Sequence, residues 1–232
     1  MIPETLIIDG TISGYDERSG VLTIKAPCSD WMALCKREIS KVKVQLIDGR
    51  SLSDRQRNFC YSIINAIADW MGDDPASVKE YFKLDFWASH LEDLNETIFS
   101  LSDAPMSLIA AFQRYLVKFV VANGVPLKFS LLESVDDVPD YLYSCLANKR
   151  CCLCGRPADL HHVDAVGMGR DREEIIHEGM ECLPLCRKHH NEYHTTGHAS
   201  FMDKYHLDAG IKLDKALCKI YGLKTERRKR ND

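Results

Sequence analysis

The stretch Cys151-Cys152-Leu153-Cys154, then His161-His162-Val163, then Leu183-Pro184-Leu185-Cys186-Arg187-Lys188-His189-His190, with His194 four residues on, decides how the chain is read. Cys151 and Cys154 project two thiolates from one tight knuckle, and Cys186 with His189 repeats the spacing. Thiolate and imidazole are the ligands tetrahedral zinc prefers. Four protein ligands close the coordination sphere, so this zinc is structural and its binding becomes folding free energy of the module around it. Cys152 and Cys182 compete for a ligand position, but their spacing builds no second knuckle, and they are expected to pack. His161, His162, His190 and His194 remain, more imidazole than a structural site consumes. The surplus points to chemistry.

The segment from Ala158 to Asp164 around the histidine pair is short and apolar enough for a strand. Adjacent side chains on a strand point to opposite faces, so His161 and His162 should have different duties. His190 and His194 share a face if a helix follows Cys186. Hydrolysis of a phosphodiester needs a divalent ion to neutralise charge on the phosphorane and a base near neutral pKa to take a proton from water. One histidine of the pair as ligand, the other as base, and one or two ligands from the helix would meet that need. His177 and His198 lack such spacing and are expected to be surface or hydrogen-bonded residues.

Towards the N-terminus, Leu6-Ile7-Ile8 and Val21-Leu22-Thr23-Ile24, flanking Ser13-Gly14 and Ser19-Gly20, predict strand, turn, strand. A short helix from Asp30 to Ile39 and a strand from Lys41 to Ile47 should follow, closed by Asp48-Gly49. Phe59, Ile63, Ile64, Ile67 and Trp70 recur at helical spacing between Asp54 and Met71, with Gly72 as C-cap. Pro75 opens a helix carrying Val78, Tyr81, Phe82 and Trp87. Leu108, Ile109, Phe112, Leu116, Phe119 and Val120 mark the clearest helix, ending near Asn123-Gly124. Val125 to Pro139, with two prolines and clustered acids, reads as a linker or domain edge, and Asp140 to Lys149 as one more short helix. The expected fold is α+β: residues 1–135 form a small sheet plus helices, and residues 136–232 a compact metal-bearing domain with a basic tail.

The composition is that of an ordinary globular protein, 45% hydrophobic and 28% charged. No stretch approaches a membrane span, and the start lacks a secretory signal pattern. Ten cysteines in such a chain favour metal binding and free thiols over disulfides, so a cytosolic location is expected. Cys28, Cys35, Cys60, Cys145 and Cys218 read as small buried hydrophobes, and Trp31, Trp70 and Trp87 as core residues. The net charge of −4 is uneven: residues 1–140 carry 14 Lys and Arg against 21 Asp and Glu, whereas residues 141–232 carry 16 against 13 and eight of the nine histidines. The C-terminal part is therefore the better candidate for a phosphate-bearing partner. Arg170 and Arg172, in a Gly-rich loop, could clamp a phosphate backbone or simply be solvated.

Taken together, C-x-x-C, H-H-V and L-P-L-C-x-x-H-H-x-x-x-H resemble the HNH nuclease motif of the ββα-metal type in its zinc-stapled version. The resemblance implies a metal-dependent endonuclease acting on DNA. His161 matches the family's first-strand metal ligand, His162 its general base, His190 the helix-borne ligand, and His194 a further ligand used by some members. Cys151, Cys154, Cys186 and His189 match the structural zinc. A divalent catalytic ion (Mg2+, Mn2+, Ni2+ or Zn2+) is implied beside it. Where the family usually places Asn, this chain has Glu181-Cys182-Leu183. Glu181 could orient the base, add a carboxylate ligand, or be exposed. The C-terminal half, with Gly167-Met168-Gly169-Arg170 and Thr196-Gly197-His198, resembles HNH nucleases of bacteriophages and prophages, which implies a bacterial host cytosol. Gly49 to Arg57 and Phe99 to Ser102 are similar to the Orf (NinB) phage recombination proteins. That likeness implies a homodimer binding single-stranded or branched DNA through Arg50, Arg55 and Arg57; a solvated helix start is the alternative for these arginines. The competing readings are a non-cleaving single-stranded-DNA-binding recombination mediator with a structural zinc, and a zinc-stabilised protein-interaction module.

Overall fold

A computed structural model describes residues 10–28, 32, 53–89, 99–102, 104–163 and 175–225. The chain divides into two compact units, Met1–Ile47 and Asp48–Asp232. In the first, β1 (Thr11–Asp16) pairs antiparallel with β2 (Val21–Lys25). Ser13-Gly14 lies inside β1, where the register slips between Ile12 and Gly14, and the turn falls at residues 17–20. A bulge tolerates glycine within a strand, which is why this pair marks no turn. The turn is closed by Gly20 at φ +66° and by Asp16, whose carboxylate accepts from Arg18 N–H and Ser19 Oγ–H. The strands expected at Leu6–Ile8 and Lys41–Ile47, and the helix expected from Asp30, lie outside the described residues, as do Trp31 and Cys35.

The second unit opens with α1 (Asp54–Met71), α2 (Pro75–Ser89) and α3 (Met106–Asn123). Ser53 and Gln56 form a reciprocal capping box on α1, which satisfies two N–H groups that the first turn leaves orphaned. Gly72 and Gly124 end α1 and α3 in the left-handed region, at φ +72° and +65°. The apolar stripes meet in one core containing Ile63, Ile67, Phe82, Phe86, Ile109, Phe112 and Leu116, all fully buried. The ring buried by α2 is Phe86, while Trp87 is only half-buried and Tyr81 is exposed. Trp70 departs from its expected core role: it is 45% exposed, its ring edge-on to Phe119 at 6.3 Å.

The stretch after α3 contributes Val125, Leu131 and Leu132 to that same core. Its prolines and acids mark turns, while the interleaved apolar side chains bury. Next come α4 (Val138–Ala147), β3 (Asp159–His162), β4 (Glu181–Leu185), α5 (Arg187–Thr196), α6 (His198–Lys204), β5 (Ile211–Lys212) and α7 (Lys215–Tyr221). Strands β3, β4 and β5 form an antiparallel sheet in that order. Its alternation splits the burial: Leu183 and Leu185 enter the core shared with the helices, whereas Cys182 and Leu160 join Leu146, Leu213, Leu217 and Cys218 in a second cluster. The fold is α+β. The expected boundary at residue 135 falls within a unit whose core takes residues from both sides of it. Among the described residues no helix is long and apolar enough to cross a membrane.

Candidate metal centre and histidine site

The turn between α4 and β3 builds the knuckle. Cys151 N–H donates to Arg156 C=O and Gly155 N–H to Cys151 C=O, with Gly155 at φ +68°, a conformation that suits glycine. Ala158 N–H reaches back to Lys149 C=O. Cys152 N–H donates to Pro184 C=O and Tyr141 Oη–H to Cys152 C=O, tying the knuckle to β4 and α4. Cys186 is the N-cap of α5, so His189 arrives one turn later on the same side. The outcome is a cluster of Cys151, Cys154, Cys186 and His189 that could hold a metal ion. His189 Nδ1 lies 3.3 Å from Cys151 Sγ and 3.4 Å from Cys186 Sγ, and Cys154 Sγ lies 3.7 Å from Cys186 Sγ. Tetrahedral zinc sets neighbouring sulfur and nitrogen donors roughly 3.3–3.8 Å apart, so the donor set and its spacing fit zinc. Burial pushes the Cys151 thiol up to about 12 without an ion; a coordinated ion deprotonates such a thiol outright. Cys152 and Cys182 are fully buried and stand outside the cluster, and Cys60, Cys145 and Cys218 are buried as well.

The second cluster is His161, His190 and His194, whose ring nitrogens lie within 4.8 Å of one another. Strand alternation directs His161 towards α5, where its ring packs 4.6 Å from that of His190 and 4.1 Å from Tyr193. His190 and His194 come from one face of α5, with their Nε2 atoms 3.2 Å apart. His161 is buried, and among the described residues its Nε2 has no hydrogen-bond partner. Such an orphan costs free energy unless something satisfies it, and a cation held by three imidazoles would do so. Burial, and then the charges of His190 and His194, pull the His161 imidazole down to about 4; burial also lowers His190. Both are therefore neutral near pH 7, the state that offers a lone pair to a metal. These residues fit a divalent ion.

His162 points to the other face of β3, and its Nε2 lies 2.9 Å from His177 Nδ1. Burial lowers the pKa of His177. His198 takes the hydrogen-bonded role expected of it, with Nδ1 2.8 Å from the Tyr193 hydroxyl. Glu181 is half-buried, and its Oε1 accepts from Gly210 N–H at 2.6 Å, where β5 approaches β4. Of the arginines, Arg55 is exposed on α1, and Arg57 binds Asp54 and the carbonyl of Ser102. Arg50, Arg170 and Arg172 lie outside the described residues. Sequence reasoning missed Asp159, although its place two residues before His161 puts it on the same face of the strand. Its charge acts on His190 against the effect of burial. It also missed the pairing of His177 with His162, for which no local spacing gives a signal.

The sequence profile of the family described as "Putative HNHc nuclease" matches residues 28–226, and the chain belongs to that family. A curated relative, the "Uncharacterized protein YdfU" of Escherichia coli (strain K12), is 48% identical over 56 residues. That match takes in 24% of this chain and 15% of the relative. No solved structure matches the chain significantly.

Proposed function

We propose that this protein is a metal-dependent HNH endonuclease that hydrolyses DNA phosphodiester bonds, in phage or prophage DNA recombination or processing. The observation that carries the reading is the His161, His190 and His194 cluster on one face of a strand whose next residue, His162, faces the other way. Membership of the HNH nuclease family supports it. The phage setting rests on the resemblance of the C-terminal half to phage and prophage HNH nucleases.

His161, His190 and His194 would hold the divalent ion, which when bound supplies positive charge opposite the scissile phosphate and the leaving oxygen. His162 takes a proton from water on a ring nitrogen as the water oxygen bonds to phosphorus. The bond from phosphorus to the 3′ oxygen breaks, and solvent protonates that oxygen. Cys151, Cys154, Cys186 and His189 would hold a structural zinc, and the knuckle and α5 that carry these side chains set His190 and His194 against His161. Arg55, with Arg50, Arg57, Arg170 and Arg172, would contact the DNA backbone, a positioning task that reads no sequence.

The test is cleavage of supercoiled plasmid and of single-stranded DNA with added magnesium, manganese or nickel. Wild-type protein should cut in at least one metal, and His162→Ala should abolish cutting at unchanged zinc content and melting temperature. Full cleavage by His162→Ala would sink the assignment. Salt-sensitive DNA binding without cutting in any metal would favour a recombination mediator instead.

A further inference from the structure

We propose that Arg156 is a positioning residue of the knuckle: its Nε–H donates to Cys154 Sγ and holds that sulfur as a metal ligand. The proposal rests on the reading of Cys151, Cys154, Cys186 and His189 as a zinc site. Cys154 is the exposed member of that set, and the other three are buried. An exposed ligand is the one that water and competing chelators reach first. Arg156 Nε lies 3.5 Å from Cys154 Sγ, a fitting separation for a donor on sulfur, whose larger radius lengthens such bonds. The backbone N–H of Arg156 is a second donor to the same sulfur. Cys151, by contrast, accepts from the backbone N–H groups of Leu153, Cys154 and Cys186. Main-chain donors hold the buried sulfur, whereas the exposed one also depends on a side chain.

Charge favours the same contact. Three thiolates and one neutral imidazole around Zn2+ leave one net negative charge, which a guanidinium beside the outermost sulfur offsets. A hydrogen bond with an ionised partner is roughly twice as strong as a neutral one. The backbone fixes where the Arg156 side chain starts. Its C=O accepts from Cys151 N–H at 2.7 Å, Gly155 turns the chain at φ +68°, and Arg150 bridges to Pro157 just beyond. Among the described residues Arg156 has no carboxylate partner to draw it away. The neighbouring cations differ. Lys204 is held by Glu192, and Lys188 is exposed, acts on His189 through its charge, and makes no hydrogen bond to sulfur among the described residues. Of these three, Arg156 alone reaches a ligand.

The test loads the full-length protein with Co2+, a tetrahedral stand-in for Zn2+ whose sulfur-to-metal charge-transfer absorption reports the thiolate cluster and not the histidines. Affinity is read by titrating that absorption against a competing chelator. Arg156→Ala should lower the affinity roughly 10-fold, within the range usual for partners that orient a ligand. Its charge-transfer band should move to lower energy, because a thiolate without its donor gives up electrons more readily. Arg156→Lys, which keeps a charged donor, should recover most of both. Lys188→Ala should change neither. Wild-type affinity and an unshifted band in Arg156→Ala would overturn the positioning role alone. So would failure of Lys to rescue, or an equal loss in Lys188→Ala, which would trace the effect to net charge. Absence of a charge-transfer band in the wild-type protein would overturn the zinc-site reading and the proposal with it.

Discussion

Two groups of side chains that could each hold a metal ion share one α+β unit and differ in almost every physical respect. The knuckle set is rich in sulfur, is laced to the backbone of β4 and α4, and has donor spacings already near those of a zinc tetrahedron. The histidine set is all nitrogen, is drawn from one strand and one helix, and grades from buried His161 through half-buried His190 to exposed His194. The first set offers four donors, enough to close a tetrahedral sphere. The second has three and an orphaned nitrogen at its buried end. A closed thiolate-rich sphere contributes folding free energy, whereas an open imidazole sphere with one exposed side can admit water and substrate.

The sharpest way to break the comparison is Cys151→Ala. Structural zinc contributes on the order of 10 kcal/mol of apparent folding free energy, so this variant should lose its zinc and its cooperative melting transition together. A melting curve like that of the wild type would place the stability elsewhere. His161→Ala should do the converse: it should retain one tightly held zinc and a near-normal melting temperature, lose binding of a second divalent ion in calorimetry, and cut roughly 100-fold more slowly or worse. Loss of the tight zinc as well would show that the two clusters are not separable.

Smaller effects sharpen the boundary between the sets. A Cβ at Gly210 would lie 2.7 Å from the carbonyl oxygen of Cys182 and 3.1 Å from the Glu181 side chain. Gly210→Ala should therefore push β5 off β4 and cost about 1–3 kcal/mol in chemical denaturation; no loss would mean the sheet edge yields freely. Glu181→Gln should be the mildest change, because its amide oxygen can still accept from Gly210 N–H. A stability cost under about 1 kcal/mol and a cleavage rate within a few-fold of wild type are expected. A large loss of cleavage at unchanged stability would instead assign the carboxylate charge to the ion or the base.

Much of the fold was legible because local chemistry carried it. The apolar stripe of α1 and the Gly72 and Gly124 caps all act within a few residues of themselves. So do the helix after Cys186 and the alternation that sends His161 and His162 to opposite faces. Where the reading departed from the structure, a distant neighbour was decisive. Trp70 has helical spacing but faces the solvent side of α1. Ser13-Gly14 has turn composition but sits in a bulge, since pairing with β2 supplies the hydrogen bonds that a turn would otherwise need. The segment after α3 has the prolines of a linker, yet buries Val125, Leu131 and Leu132 against helices on both sides of it.

The sequence by itself determined the ligand chemistry. C-x-x-C with C-x-x-H gives a donor set that suits zinc, and four histidines beyond it are a surplus, because spacing along a knuckle, a strand or a helix turn fixes which donors can converge. Tertiary structure alone decided which donors actually share a centre and which histidine answers His162. Strand β3 must pack on α5 before His161 can meet His190 and His194. The turn carrying His177 must be tied to the C-terminal segment before its Nδ1 can reach His162. Contacts between residues far apart in sequence are set by how the elements pack, and no local spacing encodes them.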